Sequence, residues 1–223
     1  MLDKDTRNRI IRLIHKEVVP AIGCTEPMAV ALCTAKAAET LGRTPETINV
    51  LLSANILKNA MGVGIPGTGM IGLPIAIALG ALIGKSDYKL EVLKDLTPEA
   101  LEAGKQYIAG KHIDIKLKEG ITEKLYIEVC CKAAGSESTA IIAGGHTSFV
   151  YLGKDGKALL DNRTDTTAGE EEEDIRLNMR LVYDFATTAP VEEISFITET
   201  KDYNMKAASE AIKGNYGHNL GKT

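Results

Sequence analysis

The chain has 223 residues, enough for one large or two small domains with a buried core. It has no Trp and only three Phe, so that core must come from Ile, Leu, Val, Ala and Met. A net charge of −4 leaves no basic stripe for nucleic acid or anionic lipid, and excludes the function classes that need one.

In chain order, Ile10, Ile11, Leu13, Ile14 and Val18 recur at helical spacing and predict an amphipathic helix over 4–19, ended by Pro20. An Ala-rich helix follows over 26–41, with Thr25 placed to cap it, Glu26 and Pro27 in its first turn and Gly42 closing it. Residues 48–53 read as a buried strand and 54–69 as a shaped, glycine-rich loop. A buried helix is expected over 70–83; the uncharged stretch 61–84 is too broken by Gly and Pro to read as a membrane span. Thr97, Pro98 and Glu99 mark a helix start, running to about Ala109.

Beyond that point the periodicity changes. Ile113, Ile115 and Leu117 alternate with polar residues, as do Leu125, Ile127, Val129 and Cys131. With 138–143, 149–152 and a turn at 154–156, these predict an antiparallel β-meander over 111–160. Helical segments near 171–187 and 190–213 complete the chain, the acidic run 170–174 being read as a solvated helix start. The fold class expected is α+β, a single region with a helical and loop part at 1–110, the meander, and a helical part at 170–213.

The first ten residues lack a basic stretch leading into an apolar block, and no signal peptide is expected. Four cysteines without an export signal read as thiols or metal ligands in a reducing, cytoplasmic setting. Four places offer chemistry. Cys24 directly precedes a helix, where the dipole favours a thiolate; nucleophile, redox thiol, metal ligand and small buried residue all stay open. Asn55, Lys58 and Asn59 set one cation and two carboxamides in an otherwise uncharged stretch, a grip for a substrate carboxylate or a lysine head in water. The run Gly64 to Gly69, with Thr68, suits small-anion binding or a tight turn. Gly144, Gly145, His146 and Thr147 form a loop whose histidine serves as an acid–base group or as structure. HExxH, CxxC and GxSxG patterns are missing, so structural zinc, thioredoxin and hydrolase chemistry find no support.

The run Pro20 to Pro27 before an Ala-rich helix, the stretch 53–69 and the Gly-Gly-His-Thr at 144–147 together resemble the L-cysteine desulfidase family, related to the α chain of iron–sulfur-dependent L-serine dehydratases. The resemblance implies that this chain is the N-terminal half of a longer protein. It implies a 4Fe-4S cluster in that protein, with Cys24 as one ligand and none retained by this chain alone. The activity implied is an ammonia-releasing elimination from L-cysteine or L-serine, giving pyruvate with sulfide or water. A small, non-catalytic amino-acid-binding or regulatory module is the alternative. Asn55, Lys58, Asn59, Thr68, His146 and Thr147 are the expected substrate contacts, and the catalytic base is not assigned. The partners expected are a small amino acid and the missing C-terminal half in cis, or otherwise a partner subunit, with homo-oligomers possible and neither nucleic acid nor membrane involved.

Overall fold

In a computed structural model, residues 2–163 and 175–214 are described, and the architecture is α+β as expected. The chain divides into two compact units, one formed by 20–169 and the other by 1–19 with 170–223.

The larger unit is built on a six-stranded sheet in the order β4-β1-β5-β6-β7-β8. Its strands are β1 (Thr47–Leu52), β4 (Ile113–Leu117), β5 (Tyr126–Ala133), β6 (Ser136–Ala143), β7 (Phe149–Lys154) and β8 (Lys157–Asp161). Ile48, Val50, Leu52, Ile127, Val129, Ala140 and Ile142 alternate onto one buried face. Helix α2 (Thr25–Leu41) packs on that face against β5 and β6, and α4 (Leu73–Ile83) packs on α2. The helices approach closely because their contact is built of small residues: a Cβ added to Gly80 would lie 2.5 Å from the Ala31 carbonyl oxygen. Helix α5 (Pro98–Ala109) covers α4, and Thr97 caps it by accepting from the Ala100 N–H at 3.2 Å, as its sequence predicts.

Residues 113–117 depart from the expected meander. They form a strand, but it pairs in parallel with β1, and β1 lies between it and β5. Only β5 to β8 run as a meander. Alternation reports which residues face the core; it carries no information about which strand lies alongside. The expected loop over 54–69 is also more regular than anticipated. It contains helix α3 (Ala54–Ala60) and a small hairpin of β2 (Gly64–Ile65) and β3 (Met70–Ile71), so α4 begins at Leu73 rather than at residue 70. A 3₁₀ turn at Ser86–Glu91 has no clear sequence signal.

The smaller unit is helical: α1 (Lys4–Glu17), α6 (Met179–Thr188), α7 (Val191–Ile194), a 3₁₀ turn (Ser195–Thr198) and α8 (Glu199–Lys213). Asp3 and Asn178 cap α1 and α6. The His15 ring stacks on Phe196, with ring centres 3.8 Å apart, and Arg7 pairs with Glu193 at 3.3 Å. The single helix expected over 190–213 is interrupted where Ser195–Thr198 tightens to 3₁₀ geometry. The acidic run 170–174 lies outside the described residues. Among the described residues no helix is long and apolar enough to cross a membrane.

Candidate functional site

The sheet and α2 together determine what meets at one end of the larger unit. Along α2, Cys33 donates to the Ala140 carbonyl, Ala37 accepts from the Ser138 hydroxyl and Leu41 accepts from Lys154. The helix therefore starts near the end of the sheet where β6 finishes and β5 begins. At that end Ser53, the residue preceding α3, donates its hydroxyl to the Lys124 carbonyl at 2.8 Å and its N–H to that of Tyr126 at 3.0 Å. The loop 144–148 reaches the same segment, the Gly144 N–H donating to the Leu125 carbonyl at 3.2 Å. The start of α2, the start of α3 and the 144–148 loop thus gather at one sheet end.

Cys24, rather than Thr25, is the N-cap of α2. Its thiol donates to Glu26 Oε2 at 2.9 Å. The same carboxylate receives the Thr25 hydroxyl at 3.2 Å and, on Oε1, the Asn59 amide from α3 at 3.1 Å. Gly23 takes φ +154°, and a Cβ there would come within 2.8 Å of Pro66, so the turn into α2 lies against the β2–β3 hairpin. Residues far apart in sequence thereby share one small polar centre.

Its proton state differs from the expectation of a dipole-stabilised thiolate. Burial first, and the Glu26 hydrogen bond and charge after it, push the Cys24 thiol up. The Cys24 hydrogen bond first, with Asn59 and Thr25 adding to it, holds the Glu26 carboxyl below its ordinary range against the opposing effect of burial. The pair is a protonated thiol on a carboxylate. Burial of the sulfur, with the carboxylate hydrogen bond added to it, outweighs the helix dipole.

The other expected residues are distributed around this centre. Asn55 and Lys58 are exposed on α3, while Asn59 is half-buried and bound to Glu26. Thr68 is buried and its hydroxyl serves the hairpin, donating to the Ile65 carbonyl at 2.7 Å and accepting from the Met70 N–H at 3.0 Å. His146 is half-buried and Thr147 exposed in the loop at the same sheet end. Glu26, on which the hydrogen bonds of Cys24, Thr25 and Asn59 converge, is the residue of this centre that sequence reasoning missed. Its position two residues after Cys24 was the available signal, and it read only as a residue of the helix's first turn.

The remaining thiols do not join Cys24. Cys33 lies nine residues further along α2, about 13 Å at helical rise, and is fully buried. Cys131 is buried in the core, which pushes it up to about 12, and Cys130 points to the opposite face of β5. Among the described residues no group of three or more His, Cys, Asp or Glu is gathered to hold a metal ion. One thiol and one carboxylate do not fit a 4Fe-4S cluster, which takes its ligands from several cysteines.

Comparison with known proteins returns a consistent set of relatives. A UPF0597 protein from Bacteroides thetaiotaomicron is 68% identical over 218 residues, spanning 97% of this chain and 50% of its own. The chain is similar to UPF0597 proteins. Others come from Parabacteroides distasonis, 58% identical over all of this chain and 52% of its own, and from Oleidesulfovibrio alaskensis, 45% identical over 97% and 50%. The UPF0597 name states no reaction, ligand or partner, and it overturns the resemblance read from the sequence: these relatives are not called L-cysteine desulfidases or L-serine dehydratase chains. The three motifs behind that resemblance are a cysteine at a helix start, a glycine-rich hairpin and a His-bearing loop, which short residue patterns do not assign to one family. The chain spans about half the length of the curated relatives it matches. No family model matches it, and no solved structure does.

Proposed function

We propose that this chain contributes to a lyase that releases ammonia from a small polar amino acid, L-serine or L-cysteine, giving pyruvate with water or sulfide. The observation that carries the reading is the 2.9 Å contact between the Cys24 thiol and the Glu26 carboxylate at the start of α2. An elimination needs a base at the α-carbon and an acid at the leaving group, and this pair holds one of each. Cys24 keeps a proton to give to a departing hydroxide or sulfide; Glu26, ionised, takes the α-proton and then passes it to the Cys24 thiolate, which returns the pair to its starting state. Asn59 fixes the carboxylate from α3, and the hairpin at Pro66 shields the turn that carries Cys24. The exposed Lys58 cation and the polar groups of Asn55, His146 and Thr147 at the same end suit the carboxylate and ammonium of an amino acid. Making an α-proton removable is chemistry that a metal centre supplies. The described residues do not compose such a centre, and no step is assigned to it.

The test uses protein of the relatives' full length, purified without oxygen and reconstituted with iron and sulfide. Pyruvate is expected from L-serine or L-cysteine, and Glu26→Gln and Cys24→Ala each lower the rate by about 100-fold or more, the usual contribution of a positioned acid or base. Failure of the wild-type protein to form pyruvate from either amino acid sinks the lyase. A second reading is favoured by the raised Cys24, since a thiol that keeps its proton is a hydrogen-bond donor before it is a nucleophile or ligand. In that reading the same end binds a small amino acid without turnover. Thermal stabilisation by L-serine with no product distinguishes it.

A further inference from the structure

The smaller unit is unusual in what it leaves uncovered. Among the described residues, ten of the fourteen exposed large apolar side chains lie in 2–19 and 175–214, the minority of the chain. Among the described residues of this unit, Ile10 and Phe185 are the only buried apolar ones, and none belongs to the main hydrophobic core. Helices with so little buried surface do not offset the conformational entropy of ordering them.

The exposed residues are arranged rather than scattered. On α6, Met179, Val182 and Tyr183 stand at i, i+3 and i+4, a continuous outward stripe, while Phe185 turns the other way and is buried. Met179 is 83% exposed and Tyr183 64%. On α8, which has no buried residue at all, Met205, Ala208 and Ile212 fall at i, i+3 and i+7, with Met205 55% and Ile212 58% exposed. Stripes at this spacing accept another helix, ridge into groove. The charges of α8 are balanced, Lys201, Lys206 and Lys213 against Glu199, Asp202 and Glu210, which gives no attraction to an anionic membrane. The matching relatives carry about as much sequence again as this chain covers.

We infer that the outward stripes of α6 and α8 form a docking face for an apolar helical segment from the remaining half of the relatives' polypeptide. The inference is independent of the lyase reading, since it rests on uncovered surface and on length alone.

The chain is co-expressed with the remaining half of the Bacteroides thetaiotaomicron relative, the latter tagged for purification. The two pieces are expected to co-purify at one to one, and amide exchange across 179–188 and 199–213 to slow by about tenfold or more relative to the chain alone. Met179→Asp combined with Ile212→Asp abolishes the complex, whereas Leu159→Asp, exposed on β8, does not. Circular dichroism of each variant chain alone stays unchanged, because these side chains face solvent. As a second measurement, this chain is joined covalently to that half. Exchange of α6 and α8 in the joined protein as fast as in the chain alone overturns the inference. So does concentration-dependent self-association of the chain that Met179→Asp disrupts, which assigns the face to a second copy.

Discussion

Cys24 and Glu26 share one proton unequally: burial raises the thiol first and Glu26 adds to it, while the Cys24 hydrogen bond is the main cause that lowers Glu26. Removing the charge with Glu26→Gln relieves the sulfur of both its acceptor and its electrostatic neighbour, leaving burial as the main force on it. Alkylation of Cys24 by iodoacetamide is therefore expected to run faster in Glu26→Gln than in wild type, at mildly alkaline pH, while Cys33 and Cys131 stay inert in the core; an unchanged rate contradicts the pairing. The sign for stability follows from the same contact. Because folding lowers the Glu26 carboxyl, its contribution is present above the unfolded value and is lost as pH falls through the folded one. The thermal stability gap between wild type and Glu26→Gln should then be present at neutral pH and close as pH falls through and below the ordinary carboxylate range. Cys24 itself was visible in the sequence as a cysteine at a helix start. Its proton state was not, because a linear pattern displays the helix dipole but not desolvation, nor an acceptor that Asn59 holds in place from 33 residues away.

Elements that bury themselves by local rules were legible, and those defined by their partners were not. Thr97 caps a helix by a short-range hydrogen bond that its sequence announces, and Gly42 closes α2 in the left-handed region at φ +82°. β1 and β4 were recognisable as strands, yet their parallel pairing depends on contacts across 60 residues of chain. The α2–α4 contact belongs to the same class. Gly80 sits inside a helix, where Ala is ordinarily better by about 1 kcal/mol. Here its added methyl would press on the Ala31 backbone, which cannot rotate away. Over-packing of that kind costs about 1–3 kcal/mol, so Gly80→Ala is expected to lower the urea midpoint in spite of its helix propensity. A rise in the midpoint would show that the two helices can separate at little cost.

At the scale of the molecule, the two units differ in how they are held. The larger has a continuous core from α2 through the sheet, whereas the described residues of the smaller include only Ile10 and Phe185 as buried apolar side chains, beside the His15–Phe196 stack and ion pairs such as Arg7–Glu193 and Arg180–Asp184. Local opening should follow that division. Amide exchange in this chain alone is expected to be fast in 4–17, 179–188 and 199–213 and slow in 25–41 and 127–142, with separate thermal transitions for the two units. A single cooperative transition with uniform protection would contradict it. This difference was partly legible: amphipathic helices were expected at both ends of the chain, but whether an apolar stripe has found a partner is a property of the folded surface.

The place of β1 also bears on how the protein is made. Residues 47–52 leave the ribosome long before either neighbouring strand exists, since β4 begins at Ile113 and β5 ends at Ala133. At about 5–20 residues per second, the wait is roughly 3–16 s. Through that interval Ile48, Val50 and Leu52, all buried in the finished fold, lack the strands that flank them. Both pairings of β1 are thus with strands made much later, and a pause in synthesis between residues 53 and 112 would leave an unpaired apolar strand available to chaperones or to other nascent chains.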